Sequence, residues 1–275
     1  MRRLTAALVL LAGVSLSAHE LFFRLDTYFV APGATVSIPV YSGTFVKNEN
    51  AITRDRLTDL SVTTSAGRVA IDRAHWSERE PMSTLTLKTG AAGTYLIGAA
   101  IKPKMLALDG KAFNDYLKEE GLDAILAART KSGRLNEGSR ERYSKYLTAV
   151  LQVGGPFSDA TVAKPLGYAA EIVPQANPAR LTVGSTLRVR CLVDGKPVSG
   201  QIAFAGGLTG AKGDQPMAEQ RLVADANGIA TVKITATGRW YVHFVSMREV
   251  TGDAEANYES KWSTLTFGVG TPVAR

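Results

Sequence analysis

Leu187-Arg-Val-Arg-Cys-Leu-Val-Asp-Gly-Lys-Pro-Val-Ser-Gly-Gln-Ile-Ala-Phe204 decides the fold class. Val189, Cys191 and Val193 share one apolar face while Arg188 and Arg190 point to the other, Asp194-Gly195 is a two-residue hairpin signal, and Val198 to Phe204 returns. Period-two alternation broken by Asp-Gly is the pattern of antiparallel strands. Outward from it, Asn227-Gly228 separates Arg221-Leu-Val223 from Ile229 to Ile234, and two more alternating runs follow: Trp240, Val242, Phe244 and Leu265, Phe267, Val269. Residues 165–270 therefore read as a small Greek-key or prealbumin-like β-sandwich.

The first part of the chain has the same grammar. Val36, Ile38 and Val40 alternate after Pro32-Gly33, and Tyr95, Ile97, Ala99 and Ile101 alternate after Gly93. Residues 19–101 thus predict a first, Ig-like sandwich. Between Lys102 and Val153 the apolar period lengthens to three or four. The stripes Phe113/Tyr116/Leu117, Leu122/Ile125/Leu126 and Tyr143/Tyr146/Leu147/Val150 predict three helices, with Asp109 as the first N-cap and Gly121 as a breaker. The expected organisation is mainly β: two β-sandwich domains with a small α-helical insertion over 102–155. Gly206 to Gly213 lacks the lysine and the setting of a phosphate loop and reads as a flexible tip.

Met1-Arg-Arg3 followed by the apolar run Leu4 to Leu16 has the charged and apolar regions of an export signal, and the run is too short to span a bilayer. Residues 1–18 are expected to be a signal peptide and the mature protein to be periplasmic. No later apolar run approaches the length of a spanning helix, so the processed chain is expected not to cross the membrane. Cleavage after Ala18 makes His19 the first residue; small Ser15 and Ser17 favour a cut after Ser17, leaving Ala18-His19. In both cases an imidazole sits on or beside a free amine, a chelating pair suited to nickel, copper or zinc.

Among the 275 residues, one cysteine, Cys191, excludes an intrachain disulfide, and its apolar strand face predicts an inert thiol. The net charge of +7, of which Arg2 and Arg3 supply two, is too scattered to argue for nucleic acid. The arginines of 129–142 read as a solvated face. There is no HExxH, GxSxG or CxxC, so no enzyme chemistry is indicated. Asp253, Glu255 and Glu259 form an acidic cluster that reads as a solvated turn.

The other two histidines are His75 and His243. On a strand from Trp240 to Val245, His243 lies with Tyr241 and Val245, opposite Trp240, Val242 and Phe244, which leaves it free to meet solvent or a partner domain.

Several segments together carry a family resemblance: Ala18-His-Glu20, Phe113-Asn-Asp-Tyr-Leu-Lys-Glu-Glu-Gly-Leu122, Arg140-Glu-Arg-Tyr-Ser-Lys-Tyr146, Glu171-Ile-Val-Pro174, Asp194-Gly-Lys-Pro197 and Tyr258-Glu-Ser-Lys-Trp-Ser-Thr-Leu-Thr-Phe267. The chain resembles periplasmic nickel- or cobalt-uptake accessory (NikM-like) proteins of unknown function. The resemblance implies an exported β protein that binds a transition metal at its mature amino terminus, serving a metal-uptake transporter or an outer-membrane receptor. The pattern carries a His directly before Met247, where this chain has Ser246. The expected ligand set is His19 with His243, Glu20 or Glu259, and the expected ion is divalent nickel, cobalt or copper. The competing expectation is a non-catalytic envelope scaffold with no metal, presenting surface aromatics such as Tyr258 or Trp262.

Overall fold

The computed structural model describes residues 20–210 and 214–270. The chain begins with β1 (Glu20–Phe23), β2 (Phe29–Val30), β3 (Thr35–Gly43), β4 (Leu57–Thr64), β5 (Gly67–Ala70), β6 (Trp76–Arg79), β7 (Met82–Lys88) and β8 (Gly93–Leu108). Two helices follow, α1 (Gly110–Glu119) and α2 (Asp123–Lys131), then β9 (Ser139–Val153), the single turn α3 (Asp159–Val162) and β10 (Ala170–Pro174). The remainder is β11 (Thr186–Val193), β12 (Lys196–Pro197), β13 (Ile202–Thr209), β14 (Gln220–Val223), β15 (Ile229–Lys233), β16 (Gly238–Glu249) and β17 (Tyr258–Val269).

The protein is mainly β, and its sandwiches share a sheet. The central sheet runs β14-β13-β16-β17-β9-β8-β4-β5, with β2 added beside β9. The parallel pairing of β17 with β9, from Tyr258↔Glu141 to Thr266↔Ala149, joins what the sequence suggests are two halves. The sheet β1-β3-β7-β6 covers one face and the small sheet of β10, β11, β12 and β15 covers the other. Side-chain alternation assigns the two cores. On β8, Leu96 and Ala100 join Trp240, Phe244 and Phe267 under the small sheet, while Tyr95, Ile97, Ala99 and Ile101 join Phe23, Ile38 and Trp76 under the other.

The third expected helix is corrected: Tyr143 to Val150 lies within β9. Leu147 to Val153 is buried on both faces, so its apolar residues do not alternate with exposed ones, and such a run cannot be told from a buried helix by periodicity. The proposed boundary at 101/102 falls inside β8. Asp194 and Gly195 both take positive φ, as the hairpin signal requires. The Asn227-Gly228 turn instead carries the chain from β14 in the central sheet to β15 in the small one. Gly206 and Gly207 are part of β13 rather than a tip: they pair with Tyr241 and Trp240, and a Cβ on Gly206 would stand 2.6 Å from the Tyr241 hydroxyl.

Cys191 is fully buried, and burial pushes its thiol up to about 12, consistent with an inert packing role. Tyr258 and Trp262, offered as surface aromatics, are buried with α1 in a third core. Among the described residues no helix is long and apolar enough to cross a membrane.

Candidate metal centre

His243 lies in the middle of β16, flanked in register by Phe204 on β13 and Thr264 on β17. Each flanking residue is tied to a segment that carries a carboxylate. On one side, Thr264 Oγ1 donates to the Leu21 carbonyl and Thr266 Oγ1 to the Phe23 carbonyl, both at 2.7 Å. These bonds lay β1 across the sheet and set Glu20, its first residue, beside His243.

On the other side, α1 ends against β13. Asp109 caps its start by accepting from the Ala112 N–H, and Phe113, Tyr116 and Leu117 bury its apolar face against Val245, Tyr258 and Trp262. At its end the Leu122 N–H donates to the Leu117 carbonyl and the Gly121 N–H to Lys118, with Gly121 at φ 67°. This is a Schellman termination, in which glycine takes the left-handed position. A Cβ at Gly121 would also stand 2.5 Å from Ile202 Cγ2. Gly121 therefore serves the turn and the close approach together, and it fixes Glu120 over His243.

The donor atoms of Glu20, Glu120 and His243 lie within 4.8 Å of one another. Nδ1 of His243 is 2.8 Å from Glu20 Oε1 and 3.9 Å from Glu120 Oε2. Nδ1 thus meets Glu20 as an ion pair, and beyond such charge contacts neither His243 Nδ1 nor Glu120 Oε2, both buried, has a hydrogen-bond partner. Buried polar atoms are seldom left so. Liganding distances of about 2.0–2.2 Å place donors around one ion within roughly 4.4 Å of each other, so a cluster within 4.8 Å needs to close by only a few tenths of an ångström to hold an ion. Glu219 stands at the outer side, with Oε1 3.9 Å from His243 Nε2, an ion-pair separation, while accepting the Tyr241 hydroxyl at 2.7 Å. Phe204 stacks on the imidazole at 5.3 Å.

The electrostatics are those of a crowded acidic site. Burial, then repulsion from Glu20, raises Glu120 from 4.5 to about 8. Burial alone would lower the His243 imidazole, but Glu20, Glu219 and Glu120 outweigh it and raise it from 6.5 to about 10. Lys145 on β9 is buried, with its ammonium 4.2 Å from the Trp262 ring centre. Burial lowers it to about 8 against the pull of Glu20, Glu120 and Glu141. Glu141, also buried, accepts from Tyr116 and Ser260 through one oxygen and leaves Oε2 unpaired.

Of the residues singled out from the sequence, the structure brings Glu20 and His243 together. His243 is on the strand face that the alternation requires, though buried beneath β1 and α1 instead of facing solvent. Glu259 is not at the site: it lies on the opposite face of β17 and pairs with Arg248. A His in place of Ser246 would likewise sit on the face opposite His243. His75 is exposed in a short turn, and His19 lies outside the described residues. Asp253 and Glu255 clamp Arg142, and the hydrogen bond from Arg142, helped by the Glu255 and Ala256 N–H groups, holds Asp253 down at about 2. Arg129 is buried over the Phe113 ring, donating to Asn114, Tyr258 and the Glu137 carbonyl, so it is structural rather than solvated.

Glu120 was missed because a glutamate beside a helix-ending glycine looks like ordinary capping sequence. Only the contact of Gly121 with β13 turns it inward.

The sequence matches the family described as "Domain of unknown function (DUF4198)" over residues 16–248, a span that contains all three donors. No curated protein matches it. Among solved structures it is similar to two chains titled "Marsupial T cell receptor", at 10% and 8% identity and TM-scores of 0.22 and 0.20. These alignments cover 91% and 88% of this chain and 73% and 70% of those chains.

Proposed function

The chain belongs to the DUF4198 family, and from that premise we propose that it is an exported periplasmic protein that binds or delivers a divalent transition metal. Glu20, Glu120 and His243 supply buried donors, and His19, the residue before Glu20, adds the amine and imidazole of the processed terminus. One observation carries the reading: two buried donor atoms, Glu120 Oε2 and His243 Nδ1, lie 3.9 Å apart beside Glu20 without hydrogen-bond partners. An imidazole with two carboxylates is an N/O set that suits borderline divalent ions such as cobalt, nickel, copper or zinc better than soft Cu(I). A divalent cation also offsets the burial and the Glu20 repulsion that together hold Glu120 far above its ordinary value. The Arg-rich leader supports export, and the NikM-like segments support a place beside a nickel or cobalt transporter or receptor.

The test combines processing and titration. Mass spectrometry of the exported protein locates its first residue. Calorimetry with nickel, cobalt, copper and zinc then compares the processed protein with Glu120→Gln, His243→Ala and a form extended by one Met ahead of His19. Binding at micromolar Kd or better, weakened at least about tenfold by each change, a loss of about 1.4 kcal/mol, is expected. A processed protein that binds none of the four ions leaves the scaffold reading in its place.

A further inference from the structure

Resting on the metal reading above, we infer that Glu219 is a positioning residue for the site: its carboxylate, at ion-pair distance from His243 Nε2, favours the ring proton there and so directs the Nδ1 lone pair to the metal. Imidazole has two nitrogens, and a metal-bound ring keeps its remaining proton on the nitrogen that a carboxylate or carbonyl faces. Here the two nitrogens have different surroundings. Nδ1 faces Glu20 and Glu120, and Nε2 faces Glu219 alone among the described acidic groups within ion-pair distance.

The supporting parts are all in place. Phe204, stacked on the ring with its plane tilted by 21°, restricts rotation of the imidazole and keeps the two nitrogens from exchanging places. Tyr241, two residues earlier on the same strand face, donates its hydroxyl to Glu219 Oε1 and anchors that carboxylate. Gly206, the register partner of Tyr241, leaves the space in which the phenol lies, since a Cβ there would meet the hydroxyl at 2.6 Å. Gly206 thus begins a chain of contacts that runs through Tyr241 and Glu219 to His243. Glu219 is half exposed, so its substitution removes the partner without opening the core.

The experiment uses the processed protein with ¹⁵N-labelled histidine and zinc as the probe. Imidazole ¹H–¹⁵N correlation spectra of the zinc-loaded protein should show His243 protonated on Nε2 with Nδ1 bound. Glu219→Ala should weaken zinc binding roughly tenfold to hundredfold. Glu219→Gln, whose amide oxygen can still accept, should recover most of that loss, and Tyr241→Phe should fall between. A metal bound through Nε2, or equal zinc affinity in wild type and Glu219→Ala, overturns the inference. The metal-free protein separates the two possible failures. A His243 Nε2 proton protected from exchange in wild type but not in Glu219→Ala upholds the positioning role even where no zinc binds; the same protection in both overturns it.

Discussion

Glu120 Oε2 faces His243 Nδ1 across 3.9 Å at the point where the end of α1 meets the middle of β16, and neither atom has a hydrogen-bond partner. One group is an acid raised by burial and by Glu20; the other is a base raised by the acids around it. The pair is held together by packing rather than by a bond of its own.

The metal-free protein should lose stability as pH rises from about 5 to about 8. Glu120 is raised from 4.5 to about 8, so across that window the folded state binds more protons than the unfolded chain, and stability falls with rising pH. His243, raised from 6.5 to about 10, acts in the same direction above 6.5. Lys145, lowered to about 8, has the opposite sign, but only above that value. Thermal unfolding of metal-free protein across pH 5–8 should show a falling Tm, and Glu120→Gln should flatten the slope. Each kcal/mol relieved corresponds to about 2–4 °C.

Metal affinity should run the other way with pH. Donors must lose their protons to bind, so affinity should fall about tenfold per pH unit for each proton displaced. Competition titrations at pH 6, 7 and 8 measure this. Glu259→Ala should match wild type at each pH, because Glu259 lies on the far face with Arg248; a loss equal to that of Glu120→Ala would place the metal elsewhere.

Gly121→Ala should disturb fold and site together. It forces a Cβ into the left-handed region, at about 1–2 kcal/mol, and against Ile202. Urea unfolding should show a loss of about 2–3 kcal/mol, and metal affinity should drop because Glu120 no longer sits over His243. Gly133→Ala, at φ 71° with nothing near its Cβ, is the control. It should carry the strain without the loss of affinity.

Arg129→Ala should destabilise the protein by about 2–5 kcal/mol, through the cavity it opens and the buried acceptors it leaves unpaired. The change strips Asn114, Tyr258 and the Glu137 carbonyl of a shared buried donor. Differential scanning calorimetry checks the size of the effect, and hydrogen exchange should show α1 and α2 opening first.

What the sequence determined by itself was local. Alternation in Leu187 to Val193 and Trp240 to Phe244, the Asp194-Gly195 turn, the Asp109 cap and the break at Gly121 each depend on neighbours within a few residues, and the β class, α1 and α2 follow from them. The strand face of His243 was legible for the same reason. Tertiary structure alone decided the rest. β9 packs against cores on both faces, which erases the alternation that would have marked it as a strand. The site joins Glu20, Glu120 and His243, residues at least a hundred positions apart in the chain. Their meeting depends on Thr264 reaching the Leu21 carbonyl and on Gly121 touching Ile202. Such contacts leave no periodic trace, because they depend on which segments the folded sheets bring side by side.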